Sequence, residues 1–406
     1  MPDAVKGNLI VGQSGGPTAV VNASLVGVIH EASSHPAVGQ ILGTLNGVEG
    51  ILDGNLIDLR QETPETLAAL RRTPSAALGS GRYKLRPGEP ERILETLKAL
   101  DVRYLVYIGG NDSADTAHRI SLAAADRGYT LRTICVPKTV DNDLPLTDHC
   151  PGYGSVARYI AISTRDAGRD TEAMRRIDPI KLLEVPGRNA GWVAAASALG
   201  KRAEEDAPHL ILPPERPVSL PRFLDTVQRV YDRLGFAVIV VAETVRDEQG
   251  SPLGAPAVEM GTTDAFGHRR LVGAAAFLSR EVAIGLGIRA RWEKPGTLAR
   301  TSMTCVSEVD LEEAYLVGRQ AVQAALRGED DRMVTLIRES DEPYRVTTGL
   351  ARLDSIANCE RRLPEEYLAT DGTHVTPAFV DYARPLIGGP LPEYARLRGA
   401  RFTLPS

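Results

Sequence analysis

The chain has 406 residues, more than one compact core usually holds, so two lobes are expected. Its 47 basic and 52 acidic residues leave a net charge of −5, which argues against a general nucleic-acid binder with a basic stripe. No apolar run approaches the roughly 18–20 residues of a membrane span, so no membrane partner is expected. Four scattered cysteines without a CxxC pair, and seven histidines without HxxxH spacing, argue for reduced thiols and against a zinc site. The N-terminus enters an apolar run without a charged leader, which predicts a cytoplasmic location.

Along the chain, short apolar runs predict strands at 8–13, 40–46, 102–110, 132–137, 180–186 and 236–243. Between them lie helical stretches such as VVNASLVGVIHEAS (20–33), PERILETLKAL (90–100) and NAGWVAAASALG (189–200). Continuous apolar strands separated by helices imply mostly parallel sheets covered on both faces. Ligands then bind at the carboxyl ends of strands, so the residues just after each strand carry the chemistry. The proline-rich stretch 209–223 is expected to be a surface connection, and the last fifty or so residues an ordered extension.

Polar clusters follow these strands. GQSGGPTAVVN (12–22) is a glycine turn opening a helix, a geometry in which backbone N–H groups hold phosphate. The chain lacks GxxxxGK[ST], and the turn is not GxGxxG, so neither a P-loop nor a dinucleotide site is indicated. GSGRYK (79–84) places Arg82 where it can clamp a transferring phosphoryl group, and YIGGNDSADTA (107–117) is a second strand–glycine–helix turn. PKTVDNDLP (137–145) is the most specific stretch: Asp141 and Asp143, two apart on an extended segment, project to one side. Phosphoryl transfer to a hydroxyl needs one carboxylate to take the proton and others to hold Mg²⁺. Lys138, three residues before the first acid, could neutralise a phosphate. LLEVPGRNAGW (182–192) and RARWEKPGTLAR (289–300) add Arg188, Arg291, Lys294 and Arg300, cations suited to a sugar phosphate.

In this order, SGGPTAVVN, GSGR, GGNDS, PKTVDND, EVPGRNAGW, VVAET and PGTLAR resemble the motifs of the phosphofructokinase family, over roughly residues 8 to 320. The resemblance is closest to its pyrophosphate-dependent branch. It implies an α/β fold of two Rossmann-like lobes with the active site in the cleft between them. Residues 1–150, completed by part of 300–350, would bind the donor phosphates; 151–299 would bind the sugar phosphate; 350–406 would form an extension. The implied activity is reversible phosphoryl transfer from pyrophosphate to the 1-hydroxyl of fructose 6-phosphate, with Mg²⁺ as cofactor. A homodimer or homotetramer with shared active sites is implied as well.

Carried over by position, Asp141 is the base, and Lys138 and Arg82 assist at the transferring phosphoryl group. Gly15, Gly16, Asp112 and Ser113 fall on the donor side. Thr139, Val140, Pro186, Gly187, Arg188, Glu243, Arg291, Thr297 and Arg300 fall on the sugar-phosphate side. Asn111, Asp112 and Asp143 fall at the metal. Pro186 replaces the family's Met, and Thr297 and Ala299 replace its His/Tyr and Gln. Asn111 stands where the family has its first metal-binding Asp, and Arg176 and Lys181 are both candidates for a second cross-subunit cation.

The resembling ATP-dependent enzymes have Gly at the positions of Asp112 and Lys138. The Asp112 carboxylate would crowd and repel a nucleotide's α-phosphate, while Lys138 can take up charge on a small leaving phosphate. Pyrophosphate is therefore the expected donor. An ATP-dependent 6-phosphofructokinase and a kinase of sedoheptulose 7-phosphate are the alternatives, since one carbon in the acceptor is weakly discriminated. A non-catalytic regulatory subunit would lack Asp141 or Arg188, and both are present.

Overall fold

The computed structural model describes residues 4–254, 273–397 and 399. Residues 255–272 of the expected second lobe and the end of the expected extension lie outside them. Eleven strands are described: β1 (Gly7–Gln13), β2 (Val38–Thr44), β3 (Leu56–Asp58), β4 (Val102–Gly109), β5 (Arg132–Pro137), β6 (Ile180–Val185), β7 (Leu210–Leu212), β8 (Ala237–Ala242), β9 (Ala290–Glu293), β10 (Arg332–Asp341) and β11 (Tyr344–Arg352). They form a seven-stranded sheet in the order β11-β10-β5-β4-β1-β2-β3 and a four-stranded sheet in the order β7-β8-β6-β9.

The inner pairings of the large sheet are parallel, and antiparallel pairs occur only at its edges, β2–β3 and β10–β11. All three pairings of the small sheet are parallel. Helices cover both faces of the large sheet, which is why β4 and β5 are apolar nearly throughout rather than alternating. The order reverses around β1, β4 and β5, whose carboxyl ends meet at one edge of the lobe. Such a switch point opens a crevice for ligands.

The chain enters the second lobe at helix Tyr153–Ala173 and returns to the first through helix Glu308–Leu326. The two helices are fixed to each other by Asp310. Its carboxylate accepts from the Gly152 N–H (2.7 Å), the Ser155 N–H (2.9 Å) and the Ser155 hydroxyl (2.6 Å), satisfying the open N-terminus of the entering helix.

One element differs from expectation. Leu210–Leu212, inside the stretch expected to be a surface connection, is a buried strand paired with β8. Three residues before a Pro-Pro pair are too few to show a period, so only pairing reveals them. Residues 353–397, after β11, cross to the second lobe. There Leu363, Leu368, Phe379, Leu386 and Ile387 join the core that contains Trp192 and β6–β8.

Candidate active site

A cavity of about 580 Å³ lies between the lobes, at the carboxyl ends of β1, β4 and β5 on one side and of β6 and β8 on the other. On the first side, Gln13 holds the glycine turn after β1. Its amide donates to Asn22 Oδ1 (3.0 Å), and its carbonyl accepts from the Leu78 N–H (3.0 Å), tying the turn to the loop that carries Arg82. Gly15 adopts φ +79°, which favours glycine, and a Cβ on Gly16 would lie 2.9 Å from Arg300 Nη1, so that guanidinium would have to shift for any larger residue. After β4, helix Asn111–Asp126 begins at once, with Asp112 in its first turn and therefore at the positive end of the helix dipole. A Cβ on Gly109 would lie 2.0 Å from Ser113 Oγ, which requires glycine there.

Lys138 follows β5 and is 4% exposed, yet it carries an ammonium group whose Nζ donates to Gly16 O at 3.0 Å. Burial lowers its pKa to about 8; Asp141 opposes the shift, while Arg300 and Arg82 add to it. Arg300 is lowered as well, by burial and by Arg82, and its buried Nε has no hydrogen-bond partner among the described residues. Lys138, Arg82 and Arg300, three cations brought together on one cavity wall, form an anion site.

Facing them is the acid pair. Thr139 Oγ1 accepts from the Asp141 N–H (3.1 Å) and hydrogen-bonds the Asp143 carboxylate. Between the acids, Asn142 turns the chain at φ +55° and anchors it, donating to Tyr382 Oη (3.0 Å) and accepting from the Cys150 N–H (3.0 Å). Burial raises Asp141 to about 7, with Asp143 and Glu243 adding to the shift and Arg188 and Lys138 opposing it. Asp143 is raised chiefly by burial. A carboxylate held near neutrality in a cleft has the affinity a general base needs.

The second lobe supplies Pro186 and Arg188 after β6, with Arg188 at φ +33°, and Glu243 and Thr244 after β8. A non-glycine residue in that region is strained and is most often found at functional sites. Gly187 forms the turn itself (φ +142°) without lining the cavity. Lys294 spans Glu184 Oε1 (2.7 Å) and Glu243 Oε2 (3.5 Å), orienting the latter.

Of the residues expected from sequence, Gly15, Gly16, Arg82, Asn111, Asp112, Ser113, Lys138, Thr139, Val140, Asp141, Asp143, Pro186, Arg188, Glu243, Thr297 and Arg300 all line this cavity. Arg291 does not. It lies in register with Lys181 near the amino end of β6, and its guanidinium pairs with Asp178 at 2.6 Å; Lys294, past the end of β9, takes the place in the cleft. Lys181 is engaged with Asp170 and Glu293 rather than with the cavity, and Arg176 is exposed. Arg300 sits against Gly16 and beside Arg82. Asn111 Oδ1 caps the Asp112 N–H (2.8 Å), and its amide donates to Cys359 O (3.3 Å).

Sequence reasoning missed Asn189, Thr244 and Glu360 as lining residues. Asn189 directly follows the PGR turn, a signal that could have found it. Glu360, which accepts from Asn189 Nδ2 at 2.9 Å, comes from the extension and has no local signal.

Fold and site together define a phosphoryl-transfer enzyme of the two-lobed α/β kind, and the chain belongs to the phosphofructokinase family, whose model matches residues 8–325. It is 43% identical to the pyrophosphate--fructose 6-phosphate 1-phosphotransferase of Xanthomonas campestris pv. campestris (strain B100), over 95% of this chain and 93% of that one. The enzyme of the same name from Halomonas elongata is also 43% identical, over 94% and 92%. The crystal structure of a pyrophosphate-dependent phosphofructokinase from Nitrosospira multiformis superposes with a TM-score of 0.86 at 40% identity, covering 96% of this chain and 94% of that one.

Proposed function

We propose that this chain transfers a phosphoryl group from pyrophosphate to the 1-hydroxyl of fructose 6-phosphate, reversibly, giving fructose 1,6-bisphosphate and phosphate. The observation that carries this reading is the half-buried acid pair Asp141/Asp143 facing Lys138, Arg82 and Arg300 across one cavity. Asp141 accepts the proton of the 1-hydroxyl as its oxygen bonds to the transferring phosphorus. The bond from that phosphorus to the bridging oxygen of pyrophosphate breaks, and phosphate leaves against Lys138. Arg82 and Arg300 offset the charge on the phosphoryl oxygens. Glu243, oriented by Lys294, and Arg188 hold the sugar phosphate, with Thr139, Val140, Pro186 and Thr297 shaping its pocket and Gly187 making the turn.

On the donor side, Gly16 and Ser113 offer small residues and backbone N–H groups to the pyrophosphate, while Gly15, whose N–H donates to Gly81 O (3.1 Å), makes the turn. The Asp112 carboxylate, in the first helical turn, occupies the space toward a nucleotide's α-phosphate.

Among the described residues no three His, Cys, Asp or Glu side chains form a metal cage. Asp112 and Asp143, both on the cavity wall, nevertheless fit Mg²⁺, which commonly takes one or two carboxylates and completes its shell with water and phosphate oxygens. Asp143, raised chiefly by burial with Glu360 adding to the shift, is a carboxylate that a divalent cation would relieve. When bound, Mg²⁺ would neutralise charge on the phosphate oxygens; Asn111 can reach it only through a neutral carbonyl.

No described helix is long and apolar enough to cross a membrane; the cytoplasm is the proposed location because both substrates are small, water-soluble phosphates. Arg291, exposed on the edge strand β9, would then serve a neighbouring subunit of a homodimer or homotetramer.

The test is phosphorylation of fructose 6-phosphate by the purified chain with pyrophosphate or ATP, alone and in competition, and with sedoheptulose 7-phosphate as a second acceptor. Turnover with pyrophosphate and fructose 6-phosphate bears the reading out. Preference for ATP or for the seven-carbon acceptor overturns it in favour of those activities.

A further inference from the structure

The loop of the acid pair is held in place by the C-terminal segment, beyond the residues the family model matches. Arg361 has its side chain in the middle of this support. Its Nη1 donates to the carbonyls of Thr147 (2.7 Å) and Asp148 (2.7 Å), and its Nη2 donates to the carbonyl of Asn142 (3.0 Å), the residue between the two acids. Its backbone N–H donates to Asp143 O at 2.6 Å. The guanidinium carbon lies 4.6 Å from the ring centre of Trp192, and Trp192 Nε1 donates to Arg361 O at 3.1 Å. One side chain therefore gathers three carbonyls of the loop and locks them onto an indole fixed in the core of the second lobe.

We propose that Arg361 is a positioning residue for the reaction: it sets the orientation of Asp141 and Asp143 through the backbone between them. The inference rests on the proposed roles of those acids. A planar fork with donors on two nitrogens can satisfy three converging carbonyls, which a single ammonium cannot do in the same geometry. Asn142 sits at φ +55°, a backbone conformation an Asn tolerates but does not strongly prefer, so the loop needs external bonds to keep it. Arg361 supplies one to the Asn142 carbonyl, while Tyr382 holds the Asn142 side chain. Arg361 touches neither substrate in this reading. Its effect is on the angle and distance at which the carboxylates meet the reacting atoms.

The experiment uses the full chain with Arg361→Ala and Arg361→Lys. The Ala variant keeps the backbone bond to Asp143 and removes only the fork. Since a displacement of about 1 Å in a reacting group can cost about 10²-fold, kcat of Arg361→Ala is expected to fall by about that factor, with both KM values within about threefold of wild type. Added ethylguanidinium should restore about tenfold of the Ala variant's lost kcat while leaving the Lys variant unchanged, because only the former has room for it.

Amide hydrogen exchange supplies a readout independent of turnover: residues 142–150 should exchange faster in both variants, while helix Asn111–Asp126 keeps its protection. A folded Ala variant with kcat within about threefold of wild type, or raised KM at unchanged kcat, overturns the inference. So does loop protection that survives the substitution. Should Arg361→Ala not fold, Arg361→Lys carries the same readouts. If wild type shows no transfer from pyrophosphate, the proposed function fails, and the exchange measurement still decides whether Arg361 holds the loop.

Discussion

Replacing Lys138 by Met should make the ligand-free protein more stable and nearly inactive. The ammonium is 4% exposed, and burial takes its pKa from 10.5 to about 8. At about 1.4 kcal/mol per unit, holding it charged at pH 7 costs the folded state about 3 kcal/mol. Its hydrogen bond to Gly16 O returns about 1 kcal/mol. Methionine fills a similar volume without charge, so Lys138→Met should gain about 2 kcal/mol, or about 2 °C in melting temperature for a chain of this size.

The sign follows from the direction of the shift. A lysine with a depressed folded pKa binds fewer protons when folded, so its penalty is complete below about pH 8 and fades as pH rises toward 10.5. The stability gap between variant and wild type should therefore close over that interval. Pyrophosphate should reverse the order, because its charge gives the buried ammonium a partner. Thermal unfolding at pH 7 and pH 10, with and without pyrophosphate, measures each part, and phosphate release measures turnover. A loss of about 10²–10³ in kcat/KM for pyrophosphate is expected from removing one donor to the leaving group. A variant no more stable than wild type at pH 7, or one retaining more than about a tenth of the turnover, refutes the reasoning.

Asp141→Asn should lower kcat by about 10²–10⁴ with little change in sugar-phosphate binding, measured by steady-state kinetics and calorimetry, because the base acts mainly in the transition state. Asp112→Gly and Lys138→Gly should each leave ATP a poor donor, whereas the double variant should show measurable ATP use; strictly additive effects in a donor-competition assay would argue against a shared donor site. His149 is buried between Asp148 (2.7 Å) and Glu313 (2.6 Å). Burial alone would lower its pKa, but the two carboxylates outweigh it and raise it to about 9. The resulting stability, up to about 3 kcal/mol, is complete below pH 6.5 and lost as pH rises through about 9. Urea midpoints of His149→Gln should lack that slope, and parallel profiles for variant and wild type would contradict it.

The amino-acid sequence by itself determined the strands buried on both faces and the motifs that immediately follow them. β1, β4, β5, β6 and β8 are mostly apolar runs, and Lys138, Thr139, Asp141 and Asp143 are near neighbours in the chain. Their proximity is covalent, but Asn142 turns the backbone between the two acids at φ +55°, so the side they share is set by that turn and not by the two-residue period of an extended segment. The three-residue strand β7 carries too little pattern to be seen without its partner.

Tertiary structure decided which cations enter the cleft. Arg291 and Lys294 look alike in sequence, but the parallel register of β9 on β6 leaves Arg291 beside Asp178 and carries Lys294 past the strand end to Glu184 and Glu243. It also decided that Glu360, Arg361 and Tyr382 meet the acid loop. No local pattern can announce such contacts, because they exist only once the extension has packed its apolar residues onto the second lobe and the chain's far end lies against the loop after β5.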